Sequence, residues 1–237
     1  MIRIIGFLGI VQLTLFSMFS YADEKSVYEF SWLDKDKEVY VLQNRKYRKV
    51  NRLYVGAGGV MSLSGAFIDA YAGRFQLGYF FKEDWGFEIH YAKYTGSEND
   101  TAKGVREQRT VPFFRKLDTT TSFLVWWSPF YGKLNTFNSI FYYDWMIGFG
   151  LAQATTIDNR NEFISISDRS LTSENVTGAT WSTAMRFHVN DHWSVRVDIS
   201  GLHYNADRKS ETESGSAISK SQIYTNLDVG VNLLFAF

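Results

Sequence analysis

From about residue 51 onward, apolar and polar residues alternate with a period of two, the pattern of strands with one apolar and one polar face. The last run sets Ile223, Leu227, Val229, Val231, Leu233, Phe235 and Phe237 against Tyr224, Asn226, Asp228, Gly230 and Asn232. Phe141, Tyr143, Trp145, Ile147, Phe149 and Leu151 alternate in the same way with Asp144, Met146, Gly148 and Gly150. Val195, Val197 and Ile199 alternate with Ser194, Arg196 and Asp198. Shorter runs over 74–79, 85–92 and 181–188 repeat the pattern. Weaker ones cover roughly 51–61 and 119–128, the latter apolar on both faces around Phe123 to Trp127. The pattern predicts eight strands.

The connections decide what the strands build. Tight turns at Lys82-Glu83-Asp84 and Asn190-Asp191-His192 alternate with long polar segments at 96–118, 153–176 and 205–220. The fourth joint is intermediate, and the first, near Ser62 to Ile68, is short. A soluble sandwich has no reason to sort its loops by length, whereas a membrane barrel keeps short periplasmic turns and long extracellular loops. The fold predicted is all-β: an eight-stranded antiparallel transmembrane β-barrel over residues 51–237, with periplasmic termini and extracellular long loops. Trp85, Phe87, Ile89 and Tyr91 recur as Trp193, Val195, Val197 and Ile199, each set after an acidic turn. Trp85 and Trp193 are therefore expected in an interfacial aromatic girdle; two similar hairpins with ordinary core tryptophans is the competing reading.

Ahead of the barrel, Arg3, the apolar stretch Ile4 to Phe19 and Ser20-Tyr21-Ala22 form a signal-peptide pattern over residues 1–22. An uncleaved anchor is the alternative; Met1 retained in the mature chain would establish it. Residues 23–50 form a short periplasmic N-terminal extension, with Lys35, Lys37, Arg45, Lys46, Arg48 and Lys49 leading to Arg52. Inside that charge lies Val39-Tyr40-Val41-Leu42, which has strong strand propensity. Three states are open to it: a disordered tether, a fold beneath its own barrel, or strand addition to a neighbouring protomer. Its basic residues suit anionic phosphates at the inner leaflet surface.

Composition removes whole classes. Only the N-terminus approaches the ~20 apolar residues of a membrane helix, so a helical bundle is excluded. Twenty-five basic residues balance 25 acidic ones, leaving no global field for nucleic acid. There are no cysteines, hence no disulfide, thiolate metal site or thiol catalysis.

The polar face of the strands carries Arg74, Glu88, His90, Asp144, Arg186, His188, Arg196, Asp198 and Asp228, with Gln76, Asn226 and Asn232. An eight-stranded barrel has just room for its inward side chains, and charges away from water persist by pairing. These residues are expected to form an ion-paired plug, with Gly56, Gly58, Gly78, Gly148 and Gly150 leaving space for the arginines. Some small barrels modify lipid A, but Ser200 and His203 fall on opposite strand faces, and no nucleophile has a placed base. Hence no catalytic, metal or cofactor residue is assigned. Asp158, Asn159, Asn161, Glu162 and Asp168 read as a solvated loop. The outer wall is aromatic, with Phe141, Tyr143, Trp145 and Phe149 beside the pair Trp126-Trp127; Trp127, Trp145 and Val39–Leu42 are the candidate contacts of a homo-oligomer.

Val229, Val231, Leu233, Phe235 and the terminal Phe237 resemble the C-terminal signal that the barrel-assembly machinery reads in Gram-negative outer-membrane proteins. A second resemblance lies in Trp32-Leu33-Asp34-Lys35-Asp36-Lys37-Glu38-Val39-Tyr40-Val41-Leu42-Gln43-Asn44-Arg45, Trp127-Ser128-Pro129-Phe130-Tyr131-Gly132-Lys133 and Phe137-Asn138. Together these are similar to the small outer membrane beta-barrel domain family of delta-proteobacterial type, over roughly residues 30–237. That resemblance implies a closed barrel in the outer membrane and supplies no catalytic residue. The expected function is a non-enzymatic structural or assembly barrel with a plugged lumen, forming a homo-oligomeric ring that contacts or encloses outer-membrane lipid. A loop-mediated adhesion module, a lipid A-modifying enzyme and a small-solute channel are the alternatives.

Overall fold

The computed structural model describes residues 45–136, 139–164, 170–211 and 217–237, and Arg45–Phe237 forms one compact unit. The expected signal peptide over 1–22 and the expected extension as far as residue 44, including Val39, Tyr40, Val41 and Leu42, lie outside the described residues.

Eight antiparallel strands close into a barrel in simple sequence order. They are β1 (Arg52–Ser62), β2 (Ile68–Phe80), β3 (Trp85–Glu98), β4 (Arg115–Thr136), β5 (Ser139–Asp158), β6 (Thr172–His188), β7 (Trp193–Glu211) and β8 (Ala217–Ala236). Two helices sit in the long connections: α1 (Asp100–Glu107) after β3 and α2 (Arg160–Ile164) after β5. The ring closes where β1 pairs with β8, from Tyr54 opposite Ala236 to Ser62 opposite Asp228. Closure leaves no sheet edge around the ring, the condition for a β structure to stand in lipid.

Parity is uniform. Tyr54, Gln76, Glu88, Leu124, Met146, Ser182, Arg196 and Asn232, one from each strand in turn, are all even-numbered and buried. Their odd-numbered neighbours Leu53, Leu77, Phe87, Val125, Trp145, Met185, Val197 and Val231 face outward. Tight turns hold the short end: Lys82 N–H donates to Trp85 O (3.2 Å), and Val189 N–H to Trp193 O (3.0 Å). The Asn190 side chain also accepts from the His192 (2.9 Å) and Trp193 (2.7 Å) amides.

The long polar segments are shorter as loops than the sequence pattern implies. β4 begins at Arg115, β5 runs to Asp158, β6 starts at Thr172 and β7 continues to Glu211. Apolar contrast marks only the part of a strand that faces lipid, whereas the hydrogen-bond ladder continues with polar residues on both faces. The fourth joint is likewise strand. β4 bulges between Trp127 and Phe130, then pairs with β5 as far as Thr136 opposite Ser139. From Ser128 onward this ribbon has no β3 partner, since that pairing ends at Trp127 opposite Trp85.

Candidate functional site

The interior is a column of charged and polar side chains, and its geometry follows from register. Glu88 and Arg196 each lie three residues after the tryptophan that opens their strand, β3 and β7. Those strands face each other across an eight-membered ring, so equal offsets bring the two side chains to the same depth. Both are fully buried. Arg196 Nη1 donates to Glu88 Oε2 (2.7 Å) and Nη2 to Oε1 (3.0 Å). The Tyr54 hydroxyl and Trp126 Nε1 (3.3 Å) also donate to this carboxylate, and His90 Nε2 meets it. Arg196 Nη2 further donates to Gln76 Oε1, and its guanidinium lies 5.2 Å from the centre of the Trp126 ring. A buried carboxylate is held by such multiple donation.

One step outward, Arg74 Nη1 donates to Asp198 Oδ2 (2.6 Å), and Asn232 Nδ2 to Asp198 Oδ1 (2.5 Å). Asp228 accepts from the Tyr94 hydroxyl (2.6 Å) and from Asn226 (3.0 Å). Toward the long-loop end Asp158 pairs with Arg115 (2.9 Å) and Arg160 (2.6 Å), and Glu174 with the same two arginines. Arg106 of α1 then bridges Glu98 and Glu162, both at 2.5 Å. Asp158, Asn159 and Glu162 are thus not a solvated loop: each is buried and bonded, Asn159 through Nδ2 to Pro112 O at 2.8 Å. Asp168 lies outside the described residues.

At the short-turn end the residue missed by sequence reasoning is Lys49. Its ammonium enters the barrel and donates to Asp144 Oδ1 (2.6 Å) and Ser128 Oγ (2.7 Å). Burial pushes its pKa below the ordinary lysine value, and Asp144 opposes that shift. His188 Nε2 takes the other Asp144 oxygen at 2.7 Å, with Tyr47 stacked on its ring 5.0 Å away. Arg45 fastens the same segment through Asp84 (2.8 Å). Residues 45–50 therefore fold beneath their own barrel. Asp144 faces Arg186 in the β5–β6 register, yet its ion partner is Lys49. Among the described residues Arg186 bonds only Ser194, through Nε at 2.8 Å.

Outside, Trp85 and Trp193 are each 42% exposed and open their strands at the short-turn end. Trp85 stacks on Trp127 (6.2 Å), Phe130 on Trp145 (5.4 Å), and Trp193 meets Phe235 edge-on (5.0 Å). Trp126 departs from the expected outer pair. It is fully buried against Glu88 and Arg196, because alternation places it on the opposite face from Trp127. Val229, Val231, Leu233 and Phe235 form one outward row of β8, and the Phe237 amide donates to Leu53 O (2.9 Å). Ser200 accepts from Arg74 inside the barrel (3.3 Å), while His203 faces outward between Trp181 (3.0 Å) and Thr225 (2.9 Å).

A closed ring of eight strands with an apolar outer belt, inward charges, short turns at one end and long connections at the other is the architecture of an outer-membrane barrel. The chain belongs to the outer membrane protein beta-barrel domain family, whose model matches residues 29–235. Among solved structures it is similar to Neisserial surface protein A, at 11% identity and a TM-score of 0.49, over 78% of this chain and 97% of that one. The N-terminal β-barrel domain of Pseudomonas aeruginosa OprF gives 15% and 0.45, over 79% and 98%. The attachment invasion locus protein Ail of Yersinia pestis gives 10% and 0.40, over 79% and 99%. No curated protein matches the chain. Family membership locates the protein in the Gram-negative outer membrane and makes the short-turn end periplasmic.

Proposed function

We propose that the protein is a non-enzymatic structural barrel of the outer membrane whose lumen is plugged by its own side chains. The observation that carries this reading is the Glu88–Arg196 pair, which spans the interior and occupies both side chains with partners from several strands. A conducting path would have to separate them and leave two buried charges unpaired, at several kcal/mol each. Above and below, Arg74–Asp198 and Lys49–Asp144 repeat the same barrier. Liposome swelling tests it: vesicles carrying the protein should swell in an isotonic pentose no faster than empty ones, and rapid swelling would overturn the plug.

The same barrel self-associates in this proposal, contacting lipid with its remaining wall. Support comes from the β4–β5 ribbon, whose outward face shows Phe130 (57% exposed), Leu134 (47%) and Phe141 (50%) next to Trp145 and Trp127. Beyond Ser128, whose amide donates to Asp84 O (2.7 Å), the edge of β4 has no backbone partner among the described residues and offers one for Val39–Leu42 of a second protomer. Val229, Val231, Leu233, Phe235 and Phe237 serve as the assembly-machinery signal. Native mass spectrometry in mild detergent should give a discrete oligomer retaining phospholipid, reduced to monomers by deletion of residues 23–44. A bare wild-type monomer would reject self-association.

A further inference from the structure

The inward charges do not pair completely. Arg74, Arg196 and Lys49 take Asp198, Glu88 and Asp144, each within 2.7 Å. Asp228 is satisfied by Tyr94 and Asn226. Arg186 is left over. It is buried, with no carboxylate within 4.0 Å among the described residues, and Nε bonded to the Ser194 hydroxyl is its sole hydrogen bond there. Its guanidinium lies 5.2 Å from the centre of the Tyr54 ring, and neither terminal nitrogen has a hydrogen-bond partner among the described residues. Neither nitrogen is fully enclosed, so both open onto the adjoining cavity, where an anion would meet the charge directly.

Arg186 lines a cavity at the periplasmic mouth. Arg48, Lys49, Arg52 and His192 line the same space, while its one carboxylate residue is Asp191. Lys49 is neutralised by Asp144, and Arg52 donates to the Asp191 backbone carbonyl (2.6 Å), not to its carboxylate. Arg48 is exposed and its side chain makes no bond among the described residues. Trp193 of the outward aromatic belt also borders the cavity, which brings the opening to headgroup height.

We propose that this cavity is an anion site for a phosphate group, with the Arg186 guanidinium as its buried anchor and Arg52 and Arg48 as its rim. The planar fork of an arginine matches phosphate through two parallel hydrogen bonds. Several cations facing one acid suit the higher charge of phosphate better than a single carboxylate. The cavity has room for about one water-sized group, so seating a phosphate group requires the exposed Arg48 side chain to move aside. Soluble phosphate and the headgroup of an inner-leaflet phospholipid share this chemistry. The site stands whether or not the lumen conducts.

The test uses the full chain, folded in zwitterionic detergent and titrated calorimetrically with inorganic phosphate, and in parallel placed in nanodiscs containing phosphatidylglycerol for native mass spectrometry. Saturable phosphate binding, weakened about tenfold or more in Arg186→Gln by loss of charge-assisted hydrogen bonds, supports a soluble ligand. Retained phosphatidylglycerol that Arg186→Gln releases supports a headgroup. If Arg186→Gln does not fold, Arg48→Gln/Arg52→Gln at the rim replaces it, with a several-fold loss expected. No binding of either probe at millimolar concentration, or equal binding by wild type and variants, overturns the proposal.

Discussion

Replacing Lys49 by Met keeps the length of the stem and its contact near Phe80, where the ammonium lies 5.2 Å from the ring centre, but removes the charge. Asp144 is fully buried and loses a donor at 2.6 Å. Removing one partner of a buried pair costs about 3–5 kcal/mol. Here two groups soften the loss: His188 stays 2.7 Å from the carboxylate, and the Ser128 hydroxyl, which already donates to it at 3.4 Å, is freed from Lys49 to tighten that bond. The expected destabilisation is therefore at the lower end, about 3 kcal/mol. Asp144→Asn in the same background should restore about 2 kcal/mol, because it removes the stranded charge. Urea unfolding of the barrel in lipid vesicles, followed by tryptophan fluorescence, measures both, and the heat-modifiable shift of folded barrels on gels confirms the starting state. A Lys49→Met barrel within about 0.5 kcal/mol of wild type, or a strictly additive double variant, would refute the insertion of Lys49 into the lumen.

Trp126→Ala should cost about 3–5 kcal/mol because its ring is fully buried, whereas Trp127→Ala, on the outward face, should cost about 1 kcal/mol or less; equal losses in urea unfolding would contradict the assigned faces. At Gly78 an added Cβ would lie 2.3 Å from the Tyr54 hydroxyl oxygen, so Gly78→Ala should displace Tyr54 from Glu88 and destabilise by about 1–3 kcal/mol, read in the same assay. Arg106→Gln frees α1 from Glu98 and Glu162; limited proteolysis should then cleave the 99–114 connection faster while the barrel's unfolding midpoint stays put, since Arg106 is partly exposed and Glu162 keeps its bond from Asn159 (3.2 Å).

The strand pattern made the ring legible because lipid and lumen sort side chains by parity, and parity survives without knowledge of partners. The repeat of Trp85 at Trp193 even held the deepest pair, since Glu88 and Arg196 share its offset. Which charges meet was not legible, because 108 and 124 positions separate the partners of Glu88–Arg196 and Arg74–Asp198. Trp126 was misassigned because both faces of its strand are apolar at that point, so hydropathy carries no contrast. The full lengths of β4–β8 escaped for the complementary reason, being polar on both faces beyond the membrane. Lys49 lies in a run of similar cations, and nothing in that run distinguishes the one that enters the barrel. The shortage of a carboxylate at Arg186 emerges only when Lys49 is seen to occupy Asp144.

The closed lumen is tested most directly by planar-bilayer recording from single protomers of the full chain. The expected result is an absence of steady open conductance in wild type and also in Lys49→Met, since Glu88 and Arg196 still block the interior beyond Asp144. A large, steady conductance from single wild-type protomers would contradict it.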